Sequence, residues 1–158
     1  MRVVEELKIN FDFFKIKEEI DSILANHNYP KQLCLQGKTS NYNDWQYGTG
    51  SITEHQNLFK HIHESIVDYE LSRLIRLFKA VRSRIMVMDG KSCYSVHPDS
   101  SKRIHLPIVT NDHCWMIWPY DGICKQLLEG KIYLTDTTKK HTFINGANEQ
   151  RIHLVMCL

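Results

Sequence analysis

Apolar residues recur with two different periods along this chain, and the change falls near residue 82. Before it, spacings of three and four residues mark helices. In DFFKIKEEIDSIL, Phe13, Ile16, Ile20 and the Ile23/Leu24 pair share one helical face, with Asp12 placed to cap the first turn. In YELSRLIRLFKAV, Leu71, Leu74, Ile75 and Phe78 repeat the pattern. Between them, residues 30–65 are polar and aromatic and include the turn-rich GKTSNYNDWQYGTGS. That stretch predicts one short strand, QLCLQ, and long loops.

After residue 82 the pattern becomes short β-type runs closed by turn residues. They are RIMVM, SCYSVH, RIHLPIV, CWMIW, ICKQLL, KIYLTD, HTFIN and RIHLVMC. Eight strands at roughly ten-residue spacing predict a sandwich or barrel, and eight is the strand count of the jelly roll that cupins share. The expected architecture is a single mainly β domain. Residues 1–81 supply helical and loop support, and residues 82–158 form the jelly-roll core.

Composition narrows the partners more than the fold. The chain has 158 residues, 42% hydrophobic and 24% charged, which suits one globular domain with a real core. A net charge of +2 with scattered lysines and arginines argues against a nucleic-acid partner. No apolar run reaches the roughly 18 residues of a membrane span, so no membrane partner is expected. The opening MRVVEELKINF places acids where a signal peptide needs apolar residues. Five cysteines, odd in number and never spaced as CxxC, argue against a disulfide framework or a zinc ribbon. They read as small buried hydrophobes in a cytoplasmic protein.

The chemistry sits in a repeated phrase. Arg-Ile-His-Leu occurs at Arg103–Leu106 and again at Arg151–Leu154, each time after a histidine, His97 or His141, that opens the segment. Residues two apart share a face of a strand, so Asp99 can follow His97 inward past Pro98. Two histidines and a carboxylate at one point make a facial triad, which suits iron(II) and leaves three positions open. Arg151 lies ten residues beyond His141, past a turn on the adjoining strand. Its planar fork grips a carboxylate through two hydrogen bonds, and burying it is costly unless it meets an anion. An oxo-acid reaching from the iron to Arg151 would meet that need. Arg103 and His105 share a face of their strand and are candidates for further contacts to the same ligand; a polar strand end explains them as well.

The arrangement His97-x-Asp99, His141, then Arg151 ten residues on resembles the signature of Fe(II)/2-oxoglutarate-dependent oxygenases. Within them, RIMVMDGKSCYSVHPD, RIHLPI and GKIYLTDTTKKHTFINGANEQRIHLV resemble the aspartyl/asparaginyl β-hydroxylase-like branch, over about residues 70–158. The resemblance implies a double-stranded β-helix, with iron at His97, Asp99 and His141 and the cosubstrate's side-chain carboxylate at Arg151. It suggests Arg103 and His105 as secondary cosubstrate contacts. It implies a hydroxylase that consumes dioxygen and 2-oxoglutarate and releases succinate and carbon dioxide. The substrate implied is an Asp, Asn or Pro side chain of a protein or peptide, or else a free amino acid. The animal β-hydroxylases lack the triad carboxylate, whereas this chain carries Asp99.

Two other classes compete. A cupin-type metalloenzyme without 2-oxoglutarate is suggested by His141-x-x-x-Asn145, but it leaves Arg151 without a task. A non-catalytic jelly-roll binding module is disfavoured by the intact triad. Elsewhere, HIHE at residues 61–64 lacks a helical i, i+4 histidine pair, so it predicts a solvated face. His113 is expected in a loop, Trp115 and Trp118 in the core, and Ser95 on the face of His97. Substrate specificity is expected to reside in the loops of residues 38–65.

Overall fold

The computed structural model describes residues 2–28, 31–39 and 44–158. Among them are twelve strands and two α-helices in this order: β1 (Val4–Leu7), α1 (Phe13–Ala25), β2 (Gln32–Cys34), β3 (Gln36–Gly37), β4 (His61–Ile62), α2 (Glu70–Leu77), β5 (Val81–Met88), β6 (Ser92–Cys93), β7 (Arg103–Val109), β8 (Cys114–Trp118), β9 (Ile123–Lys125), β10 (Ile132–Thr135), β11 (Thr142–Asn145) and β12 (Arg151–Cys157). Each of the eight anticipated runs holds a strand. No described helix is long and apolar enough to cross a membrane.

The chain forms two compact units, residues 1–9 with 87–154 and residues 10–86 with 155–158. In the second, α1 begins where expected: Asp12 Oδ1 accepts from the Lys15 amide at 3.0 Å, closing the first turn as an N-cap. Ile16, Ile20 and Ile23 form its buried stripe. Glu19 of α1 then caps α2, accepting from the amides of Glu70 and Leu71 at 2.8 and 3.0 Å. A carboxylate there meets both orphan donors and the positive end of the helix dipole. The run QLCLQ is split into β2 and β3, with β2 antiparallel to β5 and β3 to β4. Residues 40–43, part of the anticipated specificity loops, lie outside the described residues.

Within HIHE, Glu64 is exposed, but His63 departs from the expected solvated face. His63 is fully buried, its Nε2–H donating to the Cys34 carbonyl at 2.8 Å and its ring 4.6 Å from Trp45. Strand β4 ends at Ile62, and the chain turns His63 inward to satisfy a carbonyl that burial would otherwise orphan.

The first unit holds the chemistry. One sheet runs β1–β10–β7–β12 and the other β6–β11–β8–β9. Met116 and Trp118 of β8, Phe143 of β11 and Tyr133 of β10 share one buried cluster with Val3 and Leu127, so the two sheets pack face to face. Strand β1 was not anticipated; Val-Glu-Glu-Leu lacks period-two alternation because it is an edge strand on β10. Strict alternation on β8 buries Trp118 but leaves Trp115 about a third exposed, so only one tryptophan is core. Cys93 and Cys124 are exposed on the short strands β6 and β9, unlike the buried Cys34, Cys114 and Cys157. Gly90 is required by proximity: a Cβ there would sit 2.2 Å from the Asn148 carbonyl oxygen.

Candidate metal centre and anion site

His97 and His141 face each other as an isolated antiparallel pair, exchanging both backbone hydrogen bonds at 3.0 Å. The pairing extends β6–β11 with a slip. Cys93 opposes Ile144 and His97 opposes His141, so four steps on one strand span three on the other. Such a bulge re-aims side chains, and here it falls at the candidate site. Past Pro98, the Asp99 amide donates to the Thr137 carbonyl at 2.7 Å, fixing the carboxylate beside both rings.

One ligand atom from each of His97, Asp99 and His141 lies within 4.8 Å of the others. His141 Nε2 is 3.4 Å from Asp99 Oδ2, and His97 Nε2 is 3.8 Å from Oδ1. Both histidines are held alike. His97 Nδ1–H donates to the Ser95 carbonyl at 2.6 Å and His141 Nδ1–H to the Lys139 carbonyl at 2.9 Å. A carbonyl only accepts, so the hydrogen is on Nδ1 and each Nε2 keeps its lone pair for a metal. Burial holds the His141 imidazole below its usual range, opposed by the Lys139 bond and the Asp99 charge. The neutral, ligating form is thereby favoured. Asp99 Oδ2 is buried without a hydrogen bond, while Oδ1 receives Arg103 Nη2 at 2.7 Å.

Arg103, a candidate cosubstrate contact, holds the Asp99 carboxylate through Nη2. His105, on the same face of β7, is buried with Nδ1 3.4 Å from His153 Nδ1. Arg151 is 2% exposed and pairs with no carboxylate among the described residues. It stands on β12, which follows β11 in the chain but belongs to the other sheet, so it is not on a strand paired with that of His141. Its guanidinium lies 4.3 Å over the Phe143 ring, and its Nε has no hydrogen-bond partner. Burial pulls its pKa downward, with Tyr94 and Cys114 opposing; a guanidinium stays charged regardless. Phe143 and Trp118, whose ring is 6.5 Å from His141, form an apolar wall. Sequence reasoning gave no role to His153 or Phe143, though the second Arg-x-His phrase contained the first. Asn145 is spent on structure, its amide nitrogen on the Glu149 and Asp89 carbonyls and its oxygen on the Ala147 amide. That removes the residue on which the cupin reading leaned.

A model of the family described as aspartyl/asparaginyl beta-hydroxylase matches residues 10–158. No curated protein sequence matches the chain significantly. Among solved structures, the viral collagen prolyl hydroxylase of Paramecium bursaria Chlorella virus-1, as its 2OG complex, superposes with a TM-score of 0.58 at 8% identity, covering 99% of this chain and 97% of that one. A Pseudomonas putida prolyl-4-hydroxylase gives 0.51 at 9% identity, covering 98% and 91%. At such identities the likeness is one of fold, the double-stranded β-helix.

Proposed function

Since the chain belongs to the aspartyl/asparaginyl β-hydroxylase family of 2-oxoglutarate-dependent hydroxylases, we propose that it hydroxylates a C–H bond of an Asp, Asn or Pro side chain in a protein or peptide, with release of succinate and carbon dioxide. The family's description supports the acidic and amide side chains, and the prolyl hydroxylases of similar fold support proline. The observation that carries the reading is the donor set: two imidazoles tied back through Nδ1, and a carboxylate oxygen without a hydrogen bond, all converging. Nitrogen and carboxylate ligands with no thiolate suit iron(II). His97, Asp99 and His141 would hold it.

Bound there with 2-oxoglutarate and dioxygen, iron(II) supplies the oxidising chemistry that breaks an unactivated C–H bond. The chain's own part is positioning. Arg103 fixes the Asp99 carboxylate, the carbonyls of Ser95 and Lys139 set both imidazole tautomers, and Phe143 and Trp118 keep water from the inner wall. Arg151 is a buried cation without an anion, which fits the remote carboxylate of the cosubstrate. The test is whether purified protein supplied with iron(II) converts 2-oxoglutarate to succinate, even without the prime substrate. Iron-loaded protein that leaves 2-oxoglutarate intact would overturn the proposal.

A further inference from the structure

Arg151 is not the only buried donor on its face of β12. His153, two residues on, leaves the strand on the same side. It is fully buried, and its Nε2, like Arg151 Nε, has no hydrogen-bond partner among the described residues. Its ring is fixed from two directions. Nδ1 lies 3.4 Å from His105 Nδ1, and the ring meets Phe143 edge-on at 5.2 Å and 86°. The same Phe143 ring carries the Arg151 guanidinium on its face, so Phe143 sets both donors.

The contact between the two Nδ1 atoms restricts the tautomers. Two ring nitrogens hydrogen-bond only when one carries the hydrogen and the other a lone pair. Burial, with the Arg151 charge and His105 adding, holds His153 well below the usual imidazole range, so it is neutral. The contact allows either direction, but an anion held at Arg151, beside His153 on β12, favours His105 Nδ1–H as the donor, which leaves the His153 hydrogen on Nε2. That hydrogen is a second buried donor beside the guanidinium. A carboxylate has two oxygens and accepts from both.

We infer that His153 donates through Nε2–H to the same 2-oxoglutarate carboxylate that Arg151 receives, and that His105 stands behind it to fix its tautomer. The inference rests on the reading that 2-oxoglutarate binds at Arg151. It gives His105 a positioning role that acts through His153.

The test compares 2-oxoglutarate with 2-oxopentanoate, which carries a methyl group in place of the remote carboxylate. Each is titrated into the anaerobic iron(II) protein and followed by its metal-to-ligand charge-transfer absorption. The unaltered protein should prefer 2-oxoglutarate. His153→Phe keeps a flat ring against Phe143 but no donor, and should lose about tenfold of that preference, the weight of one hydrogen bond to a charged group. Its affinities for iron and 2-oxopentanoate should hold. His153→Gln, with an amide donor, should retain part of the preference. A full preference in His153→Phe, or an equal loss for both ligands, overturns the inference. No preference in the unaltered protein overturns the Arg151 reading itself, and this inference with it. Should His153→Phe not fold, ¹⁵N-imidazole NMR of the unaltered protein loaded with zinc(II) decides. An Nε2–H signal of His153 that shifts with 2-oxoglutarate but not 2-oxopentanoate supports the inference, and an Nδ1–H tautomer or an unmoved signal overturns it.

Discussion

The two polar clusters of this unit are built with opposite polarity. At His97, Asp99 and His141, backbone carbonyls take the Nδ1 hydrogens, leaving nitrogen lone pairs and a carboxylate oxygen without a hydrogen bond. At Arg151 and His153, the atoms without partners are ring and guanidinium nitrogens on a cationic, fully buried face. The first cluster offers electron pairs and suits a Lewis acid; the second offers hydrogens and suits an anion. Phe143 lies between them, two residues after a triad histidine and under the guanidinium. A single ligand that chelates a metal at one end and carries a carboxylate at the other serves both.

The largest expected effect comes from removing a triad ligand. Losing an outer partner of a metal ligand costs roughly tenfold to a hundredfold, and losing the ligand itself should exceed that, on the order of a thousandfold in iron affinity. Asp99→Ala should therefore lose most turnover at limiting iron. It should still melt cooperatively, because Asp99 is a ligand candidate rather than a member of the apolar core. Succinate formation across an iron titration checks this, and undiminished turnover would remove Asp99 from the set.

Next comes the anion end. Removing one partner of a buried charge pair costs roughly 3–5 kcal/mol, or about two to three and a half decades of affinity. Arg151→Leu should weaken 2-oxoglutarate by about that much and leave iron binding alone. Arg151→Lys should fall between, since an ammonium lacks the planar two-bond fork. Anaerobic titration of the charge-transfer band measures both, and wild-type affinity in Arg151→Leu would break the contrast between the two clusters.

The sequence made some of this legible and not the rest, for physical reasons. Periodicity is local, so α1, α2 and the eight core strands could be read from it. The edge strand β1 could not, because Glu5 and Glu6 interrupt any alternation. Ligand spacing along the chain pointed to His97, Asp99 and His141, but the bulge that sets His97 opposite His141 is a property of strand pairing. The shared face of Arg103 and His105 on β7 was legible, but the partner of Arg103 at the metal end was not. Its ion pair with Asp99 depends on where the turn after Pro98 delivers the carboxylate. His153 was missed because an imidazole on a buried strand looks like any core histidine until its Nε2 is found without a partner.

Arg103 sharpens the comparison further. If it serves the metal end, Arg103→Met should weaken iron by roughly tenfold to a hundredfold, as loss of a ligand's outer partner does. The effect on 2-oxopentanoate and 2-oxoglutarate should then be equal. A selective loss of 2-oxoglutarate would return Arg103 to the anion end.

The smallest effect is a slope of stability with pH. His153 titrates near 6.5 when unfolded and well below that when folded, and His141 shifts in the same direction. Between the two values the unfolded chain binds more protons, so folding stability is complete above about pH 6.5 and declines as the pH falls through the window beneath it. Each such histidine contributes at most about 1.4 kcal/mol per pH unit. The shifted carboxylates Glu6, Glu54 and Glu70 are all lowered and titrate further down, so they leave this window to the imidazoles. Urea denaturation of metal-free protein at pH 7.5, 6.5 and 5.5 should show the decline, and His153→Phe should make it shallower. His153 then carries a burial penalty that only a neutral ring avoids, and a neutral ring that accepts at Nδ1 keeps its hydrogen on Nε2. An identical slope in the variant would mean that His153 is not the buried neutral imidazole on which the anion end depends.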